Sequence, residues 1–360
     1  MLDPARATVR GYLNRPRRGL PPILAPSIIE NVLQQLGSPR LRSTQYQSLT
    51  TWKNTGTFRL ILRFDDGRDK RLIYKRAVYS LEEIPANEGL PVRQGPPERL
   101  IASIGEGPLS EFIPYPYWVA ENRDERYFDY VWEDLGVQHQ HFLKYQDTQP
   151  RAAVCESLAA MHLALRKQFP DHQDADLLHY DRDYGQKIWH YAISALPEYL
   201  RQSGDPVVED FLRRQDRVSE VFLDPGFHVD RPTQVVHGDC NGTNIWVRRQ
   251  DDKLHMKAVD WEWAGYGLPH ADMISIIKWC SSDEKDEFLA RYCDAAGLDD
   301  VPAQRRWLRR ANMERAVLDA GFLAKQYLDP ARSQKWFQPF IGGSLEHLLA
   351  EADALSTGKA

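Results

Sequence analysis

The chain has 360 residues, a length that exceeds the usual size of one hydrophobic core and predicts two lobes or domains. Its composition is 42% hydrophobic and 27% charged, as in ordinary globular proteins, which excludes disorder on a large scale. The formal net charge of -5 excludes bulk electrostatic binding of nucleic acid or anionic membrane, so we expect neither as a partner.

The four cysteines lie far apart and form no CxxC pair, which predicts reduced thiols and disfavours a disulfide framework or a structural zinc site. Residues 1–19 contain no apolar signal segment, and no apolar run approaches the ~18 residues that a membrane span needs. We therefore expect a cytoplasmic protein. The sequence leaves its oligomeric state open.

The first part of the chain is rich in strand signals. Residues 1–25 contain many Pro and Arg residues without periodicity, which predicts an N-terminal arm, and a short amphipathic helix follows and ends at Gly37. A helix is expected over 98–105 and a strand over 126–136. Three β-rich runs, two of them flanking the turn at Asp66, predict strands over 44–52, 55–64 and 70–77.

The second part of the chain is mainly helical from about residue 149. Its apolar spacing predicts helices over 151–167, 184–203, 206–223 and most of the chain from about 271. Two short strands are expected at 233–238 and 255–261. Separate strand-rich and helix-rich parts predict the α+β class, with an arm over 1–25, an N-lobe over 26–135 and a C-lobe over 136–360.

Three oxygen-bearing side chains have the spacing that a phosphoryl-transfer site requires. Asp239 and Asn244 lie on a Gly-containing loop after one apolar strand, and Asp260 ends the next. One carboxylate can accept a hydroxyl proton, while a second carboxylate and an amide oxygen can bind Mg²⁺. A hairpin between the strands at 233–238 and 255–261 would bring the three side chains together.

The pattern HGDxxxxN at 237–244, followed by Asp260, resembles the aminoglycoside phosphotransferase and choline kinase-like group of the protein-kinase-like superfamily. The resemblance covers roughly residues 40–350. It implies a bilobal fold with a small antiparallel-sheet N-lobe and a mainly helical C-lobe. It also implies that Asp239 is the catalytic residue, which positions or deprotonates the acceptor hydroxyl, and that Asn244 and Asp260 bind Mg²⁺.

The same resemblance assigns supporting roles to two further residues of the C-terminal half. His237 would be the structural histidine of the loop that carries Asp239. Asp272, in the segment GLPHADM, would steady this loop through backbone N–H groups. Neither role includes acid–base chemistry.

The resemblance places the nucleotide site in the N-terminal half. Lys75 would bind the phosphates of ATP (or GTP), with Glu98 as its expected carboxylate partner and Glu106 and Glu111 as alternatives. Backbone groups near Glu133 and Leu135, in the segment YVWEDLG, would bind adenine.

The Gly-rich loop GxGxxG of protein kinases is absent from the sequence. The turn over 52–57 takes its place in the resemblance, and Lys53 in that turn could add a cation near the phosphates.

Acidic and aromatic residues near Asp260 are candidates for the acceptor site. Glu262 and Trp263 follow it directly, and Glu314 and Asp319 lie on a late helix. Such a lining would suit a cationic or hydroxyl-rich acceptor through ion pairs and cation–π contacts. Aromatic residues at helical spacing more often belong to a core.

These observations support two hypotheses about function. The first is a Mg²⁺-dependent kinase that moves the γ-phosphoryl group of ATP (or GTP) to a hydroxyl of an antibiotic such as an aminoglycoside, an amino alcohol or a sugar. The alternative, favoured by the missing Gly-rich loop, is a pseudokinase-like nucleotide-binding module that acts through partners. A protein kinase is disfavoured because the sequence has no HRD motif and no activation segment ending in APE.

Overall fold

The structure is a computed structural model that describes residues 16–52, 55–78, 96–142, 148–170, 174–228, 232–251, 253–278, 280–329 and 337–356. Lys53, expected near the phosphates, lies outside the described residues. Within these ranges, no helix combines the length and the apolar composition that crossing a bilayer requires.

An antiparallel sheet of six strands forms the N-terminal half, in the order β1-β2-β3-β4-β6-β5. The hairpin predicted around Asp66 joins β3 to β4, and Gly67 in its turn has a φ of 82°. Arg17 and Arg18 pair with β2, so this part of the predicted arm adds an edge strand. The strands are β1 (Arg17–Arg18), β2 (Leu41–Trp52), β3 (Thr55–Phe64), β4 (Asp69–Val78), β5 (Pro116–Asn122) and β6 (Tyr127–Glu133).

Each face of this sheet is covered by one helix. The apolar side chains of α1 (Pro26–Gln35) pack on the face that includes Leu72 and Tyr74 of β4. Because side chains alternate along a strand, Lys75 of β4 points to the opposite face. The helix α2 (Pro96–Ala102) lies on that face, where its Ala102 belongs to a cluster with aromatic residues of β6. The alternation therefore directs a lysine toward α2 and away from the apolar core.

Long helices form most of the C-terminal half. One apolar core surrounds α3 and α8, and a second lies between α4, α5, α9 and α10. The helices are α3 (Thr148–Gln168), α4 (Arg182–Ser203), α5 (Pro206–Phe222), α6 (Pro225–His228), α7 (His270–Ile277), α8 (Ser282–Ala296), α9 (Val301–Leu328) and α10 (Gln338–Ser356). The predicted α+β class, with an antiparallel sheet and a helical part, is confirmed.

Two small sheets hold the segments around the loop at 237–244. In the first, β10 (Ile245–Gln250) pairs with β11 (Lys253–Ala258) and with β7 (Gln140–His141). In the second, β12 (Gly265–Gly267) pairs with β9 (Gln234–Val236) and with β8 (Leu178–His179).

The hairpin expected between the strands at 233–238 and 255–261 is wrong. The strand before Asp239 pairs with β12, and the strand before Asp260 pairs with β10, a strand that the sequence pattern did not predict. The observed hairpin joins neighbouring segments through a tight turn, so its loop-closure entropy is lower than that of the longer connection. It still brings Asp260 back toward Asn244.

The helix α7 buries two titratable side chains, His270 and Asp272, both with 0% exposure. Burial, together with the nearby His162, lowers the pKa of His270 to about 3. The folded chain therefore keeps this imidazole neutral at pH values at which the unfolded chain protonates it.

Replacing His270 by Phe should make the protein less sensitive to acid. The pKa of His270 is about 3 in the folded state and 6.5 for an ordinary imidazole. Below pH 6.5 the unfolded chain therefore binds a proton that the folded chain does not bind, and the free energy of unfolding falls as the pH falls. Between pH 7 and pH 5 this loss amounts to about 2 kcal/mol. Urea unfolding at the two pH values should show the variant losing about 2 kcal/mol less than the wild type. Equal losses in the two proteins would contradict the buried neutral histidine.

Candidate active site

The loop that follows β9 is held by the carboxylate of Asp272. Its two oxygens accept the backbone N–H groups of His237 and Gly238, both at 2.8 Å. His162 of α3 adds a third hydrogen bond at 3.0 Å. Burial disfavours the charged carboxylate, but these hydrogen bonds outweigh it and hold the pKa of Asp272 below its usual value. An ionised, buried carboxylate therefore fixes the start of the loop.

His237 links this loop to the segment before Asp260. Its Nε2 donates to the carbonyl of Val259 at 3.0 Å, and its Nδ1 accepts the N–H of Asp239 at 3.2 Å. Its ring packs on Trp261, with 4.4 Å between the centroids. Both ring nitrogens are used in backbone hydrogen bonds, which gives His237 a structural place in the site.

Gly238 occupies a position that admits no side chain. Its φ of 81° lies in the left-handed region, which L residues rarely adopt. A Cβ there would meet the carbonyl of Trp263 and the hydroxyl of Tyr180, which hydrogen-bond to each other. The loop can therefore pass close to the segment after Asp260 only with glycine at this point.

The carboxylate of Asp239 is oriented by three side chains. Its Oδ2 accepts hydrogen bonds from the amides of Asn241 at 2.9 Å and Asn244 at 3.1 Å. Its Oδ1 accepts Nη1 of Arg315 at 3.1 Å. The Asp239 side chain keeps 25% of its surface exposed, so a further group can approach it.

The sequence pattern did not identify Arg315 as a site residue. Arg315 lies on α9, 76 residues from Asp239, and the candidate acids on this helix were its neighbour Glu314 and Asp319. The one local signal was its spacing from Asp319, four residues later, to which it pairs at 2.8 Å. Such a pair is common on helices and does not by itself indicate an active site.

Asn244 and Asp260 lie at the same end of the β10–β11 hairpin. The N–H of Val259, next to Asp260, donates to the carbonyl of Asn244 at 2.9 Å. The amide nitrogen of Asn244 donates to Asp239, which leaves its amide oxygen as an acceptor. An amide oxygen and a carboxylate are hard donors of the kind that Mg²⁺ prefers, so this pair of residues fits a magnesium ion.

Lys75 lies among three carboxylates that come from both halves of the chain. Its Nζ is 2.6 Å from Glu98, 2.6 Å from Asp260 and 2.9 Å from Glu262. We call these four residues the Lys75 cluster. The alternative partners weighed from the sequence, Glu106 and Glu111, are exposed.

The Lys75 cluster carries a surplus of acidic groups. Burial opposes the charge on Lys75, but the three carboxylates outweigh it and raise its pKa well above the usual value. Burial also raises the pKa of Glu98 and Glu262, whereas Lys75 overcomes burial at Asp260 and lowers its pKa. Oxygen atoms of the three acids lie within 4.8 Å of one another, so they could also surround a metal ion. The structure thus places Glu262, expected to contact the acceptor, beside Lys75.

The segment between the two halves offers few free backbone groups. The N–H of Glu133 donates to the carbonyl of Tyr115 at 2.9 Å, and the carbonyl of Leu135 accepts the N–H of His139 at 2.8 Å. Leu135 begins a short 3-10 helix, whose first N–H groups have no partner within the helix. In the described part of the chain the N–H of Leu135 donates to no backbone carbonyl outside the helix either, so a ligand could accept it.

Trp263 packs against the buried ring of Tyr191 on α4. Leu318 and Phe322 of α9 pack against the same ring. We call these four residues the Trp263 cluster. Asp319, the acid on the same helix, contacts Lys278 at 2.7 Å as well as Arg315, so two cations neutralise it.

Comparison with known proteins shows that the chain matches one protein family. The phosphotransferase enzyme family matches residues 107–308, more than half of the chain. The matched part includes Asp239, Asn244, Asp260 and Asp272. No curated protein matches the chain in sequence.

Solved structures with a similar fold extend over nearly the whole chain. A variant of aminoglycoside 2'-phosphotransferase-IIIa in complex with GDP has a TM-score of 0.54 at 13% identity, over 92% of this chain and 98% of that one. Choline kinase from Cryptosporidium parvum Iowa II has a TM-score of 0.57 at 9% identity, over 88% of this chain and 91% of that one. A microcompartment-associated aminopropanol kinase has a TM-score of 0.52 at 13% identity, over 92% and 98%.

At such low identities the structures establish the fold, and they confirm the predicted bilobal protein-kinase-like architecture. The family match extends over the loop that carries Asp239 and the segment that carries Asp260. The chain therefore belongs to the phosphotransferase enzyme family.

Proposed function

We propose that this protein is a small-molecule kinase that transfers the γ-phosphoryl group of ATP (or GTP) to a hydroxyl group in the presence of Mg²⁺. The observation that supports the proposal is that the Asp239 loop, the pair Asn244 and Asp260, and Lys75 of the other lobe lie next to one another. An oriented carboxylate, Asp239, lies on the loop that ends at Asn244, and Asn244 shares one end of a hairpin with Asp260. Asp260 in turn contacts Lys75 of the other lobe.

Asp239 would position the acceptor hydroxyl and accept its proton. The amides of Asn241 and Asn244 bind one carboxylate oxygen and so hold the plane of the group. Phosphoryl transfer depends mainly on such positioning and on electrostatic stabilisation, because the protein supplies little covalent chemistry.

The nucleotide would bind between Lys75 and the segment at 133–135. Lys75 is already charged and buried, so phosphate oxygens could replace Asp260 as its partner while Glu98 keeps the ammonium in place. Asn244 and Asp260 would hold Mg²⁺, which when bound neutralises charge on the phosphates. The N–H of Leu135, near Glu133, would bind the base. The placement of Lys53 near the phosphates stays a prediction.

The acceptor is proposed to be a small hydroxylated molecule. The solved structures of similar fold include an aminoglycoside phosphotransferase, a choline kinase and an aminopropanol kinase. The molecules in these three names are all small and carry hydroxyl groups. This matches a reaction in which Asp239 accepts the proton of an acceptor hydroxyl.

The isosteric change Asp239→Asn should abolish turnover and preserve the fold. An amide cannot accept the hydroxyl proton, so we expect ADP release to fall by about a hundredfold or more, while the affinity for MgATP stays within a factor of about two. The measurement is coupled ADP release over a panel of hydroxylated acceptors, together with acceptor-free hydrolysis of ATP.

The matched control is Asp299→Asn, an exposed aspartate far along the chain, which should leave turnover unchanged. Full activity in Asp239→Asn would show that the catalytic assignment is wrong. Wild-type protein that binds MgATP and turns over no acceptor would favour the pseudokinase-like alternative.

The change Lys75→Met should weaken nucleotide binding and lower stability. Three carboxylates then lose their common cation, which for a buried ion pair costs about 3–5 kcal/mol of unfolding free energy. We expect the Kd for MgATP to rise by about tenfold or more. Calorimetric titration and urea unfolding measure the two effects.

Lys70→Met, on the same strand, is the control for the loss of one positive charge. The double change Lys75→Met with Glu98→Gln should recover part of the lost stability, because it removes one uncompensated acid. An unchanged nucleotide affinity in Lys75→Met would reject the assignment of Lys75 to the phosphates.

A further inference from the structure

We propose that the acceptor carries an anionic group, a carboxylate or a phosphate, which binds Arg315, and that the acceptor site disfavours polycations. This inference rests on the proposed function, because it names the class of acceptor for the same site. Three observations carry it: the position of Arg315, the neutralised acids around it, and the adjacent Trp263 cluster.

Arg315 lies where the reacting part of an acceptor would bind. Its Nη1 donates to Oδ1 of Asp239 at 3.1 Å, and its Nε donates to Asp319 at 2.8 Å. Among the described residues, its Nη2 donates to no atom and is not buried. A guanidinium that is fixed at two nitrogens and open at the third is suited to a planar or tetrahedral anion.

Two acids near this position, Asp319 and Glu262, are already paired with cations of the protein. Asp319 contacts both Arg315 and Lys278, and these two cations outweigh its burial and lower its pKa. Glu262 contacts Lys75 at 2.9 Å. Asp239 is itself paired with Arg315, so an ammonium group placed beside it would be attracted by the carboxylate and repelled by the guanidinium, and the two interactions offset each other. A polycation therefore gains little in this region.

The Trp263 cluster supplies an apolar surface next to Arg315. Arg315, Leu318 and Phe322 lie at spacings of three and seven residues along α9, which places them on one face of the helix. The carbonyl of Trp263 lies against Gly238, the residue before Asp239, so the segment that carries Trp263 passes beside the loop that carries Asp239. The side chains of Trp263, Leu318 and Phe322 are only partly buried. An acceptor with an apolar skeleton between its hydroxyl and its anion would match this arrangement.

Four matched probes on one benzene skeleton test the inference. They share a hydroxymethyl group and differ in the para substituent: para-hydroxymethylbenzoate, para-hydroxymethylphenyl phosphate, the neutral para-hydroxymethylbenzyl alcohol and the cationic para-hydroxymethylbenzylamine. Calorimetric titration in the presence of MgADP gives the affinities, and radiolabelled ATP gives kcat/KM. We expect at least one anion to bind about tenfold or more tightly than the alcohol and the amine. The two anionic probes separate a carboxylate acceptor from a phosphate acceptor.

Variants of α9 identify the residue responsible. In Arg315→Met the preference for the anion should fall to within a factor of about two, whereas Arg315→Lys should keep part of it. Arg306→Met removes the same charge from an exposed position on the same helix and should keep the full preference. Thermal unfolding checks that each variant folds, and if Arg315→Met does not, Arg315→Gln takes its place.

The outcomes separate this inference from the proposed function. Wild-type protein that binds MgATP but prefers the amine or the alcohol, or binds neither anion, overturns the acceptor class alone. A preference for the anion that survives in Arg315→Met also overturns it. Wild-type protein that does not bind MgATP overturns the proposed function and this inference together.

Discussion

The buried ammonium of Lys75 joins the two halves of the molecule. It contacts Glu98 on α2 and Asp260 and Glu262 beyond β11, so it is stable only where the N-lobe sheet and the end of the hairpin meet. Buried charges are costly unless they are paired, and burial raises the pKa of Glu98 to about 8 and that of Glu262 above its usual value. Asp260, whose pKa Lys75 lowers, is then the ionised carboxylate that balances the ammonium. The contact that joins the two lobes therefore also decides which of the three acids carries a charge.

A second buried charge, Asp272, acts on the backbone rather than on side chains. It binds the N–H groups of His237 and Gly238 and leaves Asp239 untouched. The start of the loop is therefore held by Asp272, while the carboxylate of Asp239 binds the amides of Asn241 and Asn244 further along the loop. Gly238 completes this constraint, because its close approach to Trp263 ties the loop to the segment after Asp260. His237 and Gly238 thus fix where the loop lies, and the next residue, Asp239, is the one proposed to act on the acceptor.

Several parts of the fold were predictable because they depend on local patterns. Alternation along β4 directs Lys75 away from the core, and the spacing from Asp239 to Asn244 lies within one loop. The strand β10 was missed because its pairing depends on register, which a sequence pattern does not specify. The position of Glu262 could not be read from the sequence either. Asp260 has a φ of 67° and a 3-10 helix follows, so the chain turns Glu262 back toward Lys75.

Acidic and aromatic residues near the site suggested a cationic or hydroxyl-rich acceptor when the sequence was considered alone. In the folded chain, two of the three acids that supported this interpretation are paired: Glu262 contacts Lys75, and Asp319 contacts Lys278 and Arg315. The charges that a ligand meets are those left over after internal pairing, and only the fold decides which ones remain. Beside Asp239, within the described residues, Nη2 of Arg315 donates to no atom. The number of acids in a sequence therefore does not give the charge of the groups that a ligand meets.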